Sequence, residues 1–120
     1  MSTNWPPIKT PPEVALSNEE IAHARDLFDA LGELTTRKMF GGLGIYHRGV
    51  IFAVMLSDGR IMLKGQGEMQ DRFDALGMKR WTSVRPGKSP TAMPYWTLPD
   101  SAQDDAEEAV ALARAALACL

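Results

Sequence analysis

The sequence is poor in the residues that most often betray chemistry. Its only cysteine, Cys119, stands next to the C-terminus. No disulfide can form within the chain, which fits a reducing, cytoplasmic setting. The only histidines are His23 and His47, and there is no HxxxH or CxxC pair. A zinc site needs several close ligands of these types, so no metal is expected. No serine, threonine or cysteine stands in a recognisable nucleophile setting with a base beside it. No apolar segment approaches the ~18 residues needed to span a bilayer. The first residues lack the basic stretch and apolar run of a secretion signal.

Phosphate-binding loops are also missing. Gly65-Gln66-Gly67 opens a helix after a strand, as a dinucleotide fingerprint does, but Gln70 occupies the place of the third glycine. Gly87-Lys88-Ser89 matches the end of a Walker A loop. Thr82 stands where that loop needs its upstream glycine, and Pro86 and Pro90 flank the segment. No cofactor is expected.

What is present is a chain of 120 residues, 45% apolar, the size and composition of one globular domain. Its net charge of −2 hides a segregation. Residues 1–36 carry two cations against six acids, and residues 89–120 one against five. Residues 37–88 carry ten cations against four acids, a net of +6. Such a middle can present a one-signed face to an acidic partner. Alternatively, the acidic flanks fold back and neutralise it.

Residues 1–16 hold Pro6, Pro7, Pro11 and Pro12 without apolar period and read as a flexible tail; the domain proper is 17–120. Ser17 and Glu20 form a capping-box signature for a helix over 18–31, with Gly32 as its stop. His23 falls off the apolar stripe and reads as a surface residue. Short strands are expected at 36–40 and 43–47. Val50 to Leu56 is a continuous apolar run, as in a central strand covered on both faces or one whose second face meets a partner. Asp58-Gly59 marks a hairpin before a half-buried strand over 60–64. A second helix is expected over 65–76, a basic strand over 79–85, and a strand over 93–98 that Pro94 confines to an edge or a strand start. Asp100 or Ser101 caps a third, alanine-rich helix, with Asp104, Asp105, Glu107 and Glu108 in its first turns. The order α-β-β-β-β-α-β-β-α predicts an α+β fold, a two-layer antiparallel sheet with helices.

One stretch stands out, Arg37-Lys38-Met39-Phe40-Gly41-Gly42-Leu43-Gly44-Ile45-Tyr46. Its glycines suit a strand-to-strand bend. The cations here and beyond, Lys64, Lys79, Arg80 and Arg85 among them, are interleaved with Tyr46, Trp81 and Trp96, a pattern able to contact phosphates and stack bases. A pI near 5.6 speaks against direct nucleic-acid binding.

Arg37 to Tyr46 resembles the signature of the TfoX/Sxy N-terminal domain family. The likeness continues through Gly49-Val50-x-Phe52-Ala53, Leu63-Lys64, Phe73-x-x-x-Gly77 and Met93-Pro94-Tyr95-Trp96-x-Leu98-Pro99, from about residue 18 to 119. The resemblance implies a two-layer fold resembling secretion chaperones. It also implies a regulator of DNA-uptake competence acting with a transcription factor such as the cyclic-AMP receptor protein. The family motif is not catalytic, so no enzyme activity is carried over. Those regulators carry a second, helical domain, which is not expected after Leu120.

Two readings follow. The first is a non-enzymatic regulatory module that captures a protein partner, its surface built around Arg37, Lys38, Tyr46, Lys64 and Tyr95. The second is a small-molecule or nucleotide-binding domain, with a pocket beside Gly41, Gly42 and Gly44 and polar anchors from Lys64, Tyr46 and Tyr95. Either allows a homodimer through the apolar run Val50–Leu56.

Overall fold

The computed structural model describes residues 16–39, 41–84 and 86–120. The proline-rich tail, apart from Leu16, lies outside the described residues, as do Phe40 and Arg85.

Helix α1 (Asn18–Leu27) starts as the capping box dictates. The Ser17 hydroxyl accepts from the Glu20 amide at 3.1 Å, and the Glu20 carboxylate accepts from the Ser17 amide at 3.0 Å. These two contacts satisfy amides that the first helical turn leaves unpaired. The helix ends earlier than its apolar spacing suggests. Phe28 breaks it, and Asp29–Leu31 form a single tighter 3₁₀ turn before Gly32 at φ 73°.

Six strands follow in one antiparallel sheet: β1 (Leu34–Met39), β2 (Gly42–His47), β3 (Val50–Met55), β4 (Ile61–Lys64), β5 (Arg80–Ser83) and β6 (Thr91–Thr97). The spatial order is β1-β2-β3-β4-β6-β5. Helix α2 (Met69–Ala75) links β4 to β5. After β6, α3 (Asp100–Gln103) and α4 (Ala106–Leu117) complete the expected α+β order. The last helix comes in two pieces because Asp105 caps α4 itself, accepting from the Glu107 and Glu108 amides at 3.0 and 3.2 Å. His23 closes the layer: its Nε2 donates to the Gln103 carbonyl at the end of α3, at 2.8 Å.

Two departures from regular pairing shape the sheet. Ile45 pairs with Ala53 and Tyr46 with Ile51, so Phe52 is an extra residue, a β-bulge. The bulge turns both Phe52 and Ala53 into the core, and Phe52 meets Phe28 edge-on with ring centres 5.2 Å apart. That is why the run Val50–Met55 shows no alternation. The second departure corrects the reading of Pro94. Strand β6 lies between β4 and β5 and is not an edge. Arg80 pairs with Trp96 and Thr82 with Ala92, leaving Trp81 alone opposite Met93, Pro94 and Tyr95. The missing proline donor falls inside this bulge. The Arg80 Nε donates to the Met93 carbonyl at 2.8 Å and fills the gap in the ladder.

All the helices pack on one face. There Leu43, Ile45, Phe52, Ile61, Leu63 and Trp96 join Leu27, Phe28, Met69, Phe73 and the alanines of α4 in one core. Trp96 is fully buried, donates from its indole to Asp74 at 2.8 Å and lies under the Arg80 guanidinium at 4.6 Å. Burying a side chain of this size stabilises the fold by about 3 kcal/mol. Among the described residues, no helix lies on the other face of the sheet.

Candidate functional site

Side chains alternate across a strand, so the register fixes which residues share the open face. Arg37 pairs with Gly44, Gly44 with Val54 and Val54 with Met62. Tyr46 pairs with Ile51, and Lys64 with Tyr95. This face therefore gathers Arg37, Gly44, Tyr46, Lys64 and Tyr95 from four strands. Lys38, one residue on from Arg37, falls on the helix side at the sheet edge, paired with Leu43. Gly41 lies in the β1–β2 turn at φ 78°.

The open face is concave. Val54 and Met62 are only 8% and 2% exposed although no helix among the described residues covers them and they lie outside the main core cluster. Side chains from both flanks shelter them. A groove of about 490 Å³ runs across the face, walled by Met39 and Gly42 on one side and by Trp81, Met93 and Tyr95 on the other, with Val54 on its floor. Asp58 and Arg60 close one end as an ion pair at 2.8 Å. The Arg60 amide donates to the same carboxylate, and with the guanidinium it holds the Asp58 carboxyl below its ordinary value of 3.8. A wider hollow of about 580 Å³ lies beyond Arg60 and Trp81, over Lys79, Arg80 and Asp100. Two of its cations are already engaged, Arg60 by Asp58 and Arg80 by Trp96 and the Met93 carbonyl. The apolar groove is thus the better-formed binding feature.

The glycine stretch serves this groove directly. A Cβ on Gly44 would stand 2.7 Å from the Met39 methyl and 3.2 Å from the Tyr46 ring. A Cβ on Gly42 would stand 2.5 Å from the Met55 carbonyl oxygen. Bare backbone at these points lets Met39 lie across β2 and lets β2 close on β3. The stretch is a packing device, not a phosphate cradle.

Among the described residues Arg37 and Lys64 form no ion pair and no side-chain hydrogen bond. The tyrosine rings are half-buried. Burial pushes the Tyr95 phenol above its ordinary value, and the neighbouring Tyr46 phenol pushes it the same way. The Tyr95 hydroxyl therefore stays protonated, a neutral donor on the residue that pairs with Lys64 across the ladder. Trp81 and Tyr95 stand with ring centres 6.2 Å apart. Trp96, by contrast, is sealed in the core and cannot stack on anything from outside.

Among the described residues, the acidic flanks do not neutralise this face. The helices that carry Glu19, Glu20, Glu107 and Glu108 lie on the other side of the sheet. Among the described residues one ion pair joins a flank to the basic middle, Arg48 with Glu33 at 2.7 Å, on the surface at the far turn. No group of three His, Cys, Asp or Glu among the described residues could hold a metal. Both histidines are engaged with carbonyls, His23 with Gln103 and His47 with Gly32. No helix among the described residues is long and apolar enough to cross a membrane.

Sequence reasoning found the cations and tyrosines of this face but missed its walls. Met39 reads as lead-in to the glycines, and Trp81 as part of a basic strand. Met93 reaches the groove by alternation, two residues from Tyr95 on the same face of β6, a placement that becomes visible only once Tyr95 is known to face outward.

Two comparisons bear on this arrangement. The family model described as TfoX N-terminal domain matches residues 26–120. The DNA transformation protein TfoX1 of Aliivibrio fischeri is 34% identical over 70 residues, covering 55% of this chain. The match covers 33% of that relative, so the chain spans about a third of its length.

Proposed function

This chain belongs to the TfoX N-terminal domain family, and from that premise we propose that it is a non-enzymatic regulatory module of DNA transformation that works by capturing a protein partner. The partner fits the role of a transcription factor, such as the cyclic-AMP receptor protein implied by the family resemblance. The observation that carries the reading is the open concave face, where Arg37 and Lys64 are without ion pairs among the described residues and stand by an apolar groove, while the helices bearing Glu19, Glu20, Glu107 and Glu108 lie behind the sheet. Complementary charge steers such encounters, and a buried apolar centre supplies most of the affinity. The name of the Aliivibrio fischeri relative places that protein in DNA transformation, and this chain takes the same process by analogy.

The test is affinity capture from the native lysate, with captured proteins identified by mass spectrometry. The wild-type chain is compared with the double variant Arg37→Glu, Lys64→Glu. Both residues lie on the surface side of the sheet, so the variant keeps the wild-type melting curve while losing the partner. A folded double variant that captures the same protein equally well rules the reading out.

A second reading is favoured by the groove's volume, about 490 Å³, which falls in the range of roughly 300–1,000 Å³ common for small-molecule sites. In that reading the groove beside Gly42 holds a metabolite or nucleotide. A thermal-shift screen separates the two. A ligand at a hundred times its dissociation constant adds about 2.7 kcal/mol, which raises the melting temperature by several degrees. No shift across a broad panel removes this second reading.

A further inference from the structure

The groove also constrains what kind of segment it receives. Met39 forms one wall and faces Trp81, Tyr95 and a second methionine, Met93, on the other. Methionine is unbranched and polarizable and adapts to differently shaped apolar groups. Trp and Tyr add rigid flat surface with a polar rim. The floor at Val54 is apolar, and Gly42 contributes bare backbone to the lining. The recess thus suits one bulky apolar or aromatic side chain more than a flat, evenly polar surface.

The margins are charged in one sense. Arg37 stands two residues along β1 from Met39, on the same face. Lys64 is the ladder partner of Tyr95 on the opposite wall. The third cation, Arg60, is balanced by Asp58 at the closed end. A guest whose central side chain enters the recess carries its neighbours past Arg37 on one side and Lys64 on the other. Carboxylates at those places gain pairing, and cations there meet repulsion.

We propose that the groove seats a short acidic segment of the partner, in which one large apolar or aromatic residue is flanked by Asp or Glu. The large residue fills the space between Met39 and Trp81 over Val54, and the flanking carboxylates meet Arg37 and Lys64. This rests on the reading of the chain as a protein-binding module and specifies what that module recognises.

The test uses random twelve-residue peptides displayed on phage and selected against the immobilised full chain. The expected winners combine a single Trp, Phe, Leu or Met with Asp or Glu on both sides. A winning peptide, made with a fluorescent label, is then titrated by anisotropy against wild type, Trp81→Ala and the double variant Arg37→Glu, Lys64→Glu. Trp81→Ala weakens binding at least about tenfold, as loss of a central aromatic wall does. The double variant weakens it about as much at low salt, and that difference shrinks as ionic strength rises. Both variants are confirmed folded by circular dichroism. Should Trp81→Ala fail to fold, Met39→Lys at the other wall replaces it.

Several results overturn the proposal: no enriched sequence, enrichment of basic or uniformly polar peptides, or winning peptides that bind the variants as tightly as wild type. Sedimentation in the absence of peptide covers the remaining occupant, a second copy of the chain. A dimer that dissociates on Trp81→Ala assigns the groove to self-association and overturns the proposal too. The two levels separate cleanly. If the lysate partner is lost with Arg37 and Lys64 but the library yields nothing, the module reading stands and the acidic-segment inference falls. If capture is also indifferent to those residues, both fall.

Discussion

The two faces of the sheet are made from alternate residues of the same strands, yet they are built to opposite rules. The helix-covered face is closed by rigid apolar pieces in fixed contact: Phe28 on Phe52, Phe73 on Trp96, alanines of α4 against β3 and β4. The open face is sheltered by its own margins. Its cations Arg37 and Lys64 lack side-chain partners among the described residues, and its floor residue Val54 is buried beneath a groove lined by Met39, Trp81, Met93 and Tyr95. One face spends its apolar surface on stability. The other keeps it available.

The sharpest way to break this contrast is to truncate one tryptophan on each face. Trp96→Ala opens a large void beside Phe73 and strands Asp74 and Arg80. It is expected to cost about 3–5 kcal/mol, read as a drop in the urea midpoint. Trp81→Ala on the open face is expected to cost about 1 kcal/mol or less. Equal losses would mean that the groove wall is part of the core.

Glycines give a second pair. A Cβ on Gly65 meets the Trp96 ring at 2.8 Å and the Phe73 ring at 3.0 Å, both held fast in the core. Gly65→Ala is expected to cost about 1–3 kcal/mol through overpacking. A Cβ on Gly44 meets first the mobile end of Met39. Gly44→Ala is therefore expected to cost less and to act on the groove by pushing Met39 out. Calorimetry on both variants checks the order, and a larger loss for Gly44→Ala reverses it.

A third, smaller effect concerns pH. The Tyr95 pKa in the folded state lies above its ordinary value of 10.0. The folded state thus holds this proton more tightly than the unfolded chain. The resulting stability is complete below pH 10.0 and is lost as pH rises toward the folded value. Unfolding curves between about pH 8 and pH 11 should show a steeper alkaline fall for wild type than for Tyr95→Phe. Asp58 works in the opposite sense. Its pKa is lowered, so its contribution is present above pH 3.8 and fades below it, and Asp58→Asn removes that acid dependence.

The smallest effect lies at the rim, outside both faces. Arg48 and Gly49 form a two-residue hairpin with φ of 51° and 81°, the geometry that Asn-Gly adopts with least strain. Arg48 holds it with help from Glu33, by the 2.7 Å ion pair and a 3.2 Å backbone hydrogen bond. Arg48→Asn keeps the backbone bond, and the exposed ion pair it gives up is worth little. The variant should be more stable by about 0.5 kcal/mol, a shift of a few degrees at most in thermal unfolding.

The closed face was largely legible in the sequence because its signals are local. Ser17 with Glu20 marks the first helix, Asp58-Gly59 the β3–β4 hairpin, and the alanines the last helix. Each reflects the chemistry of a few adjacent residues. What escaped depends on partners far along the chain. Pro94 looked like an edge marker, since nothing nearby reveals that Arg80 fills its gap. Phe52 and Ala53 looked like a two-sided strand until Ile45 and Tyr46 exposed the bulge. The break at Asp105 was hidden among neighbouring acids, any of which can cap. On the open face, single residues such as Tyr46 and Lys64 and a pocket beside Gly42 were expected, but the walls at Met39, Trp81 and Met93 were not. The groove draws its lining from β1, β2, β3, β5 and β6, and no window of sequence contains them together.

The strand order has a consequence for the timing of motion. From β1 to β4 every strand pairs with its successor, so that half can form from short-range contacts. Strand β6 must instead return past α2 and β5 to pair with β4, through Met62 with Thr97, Leu63 with Trp96 and Lys64 with Tyr95. This seam closes the longest loop in the sheet, and such closures form late and open early. The groove lies across it, with Met39 and Val54 on one side and Trp81 and Tyr95 on the other. A bound guest therefore acts as a clasp over a seam, and its presence should be legible as slowed amide exchange in β5 and β6, strands whose own amides it need not touch.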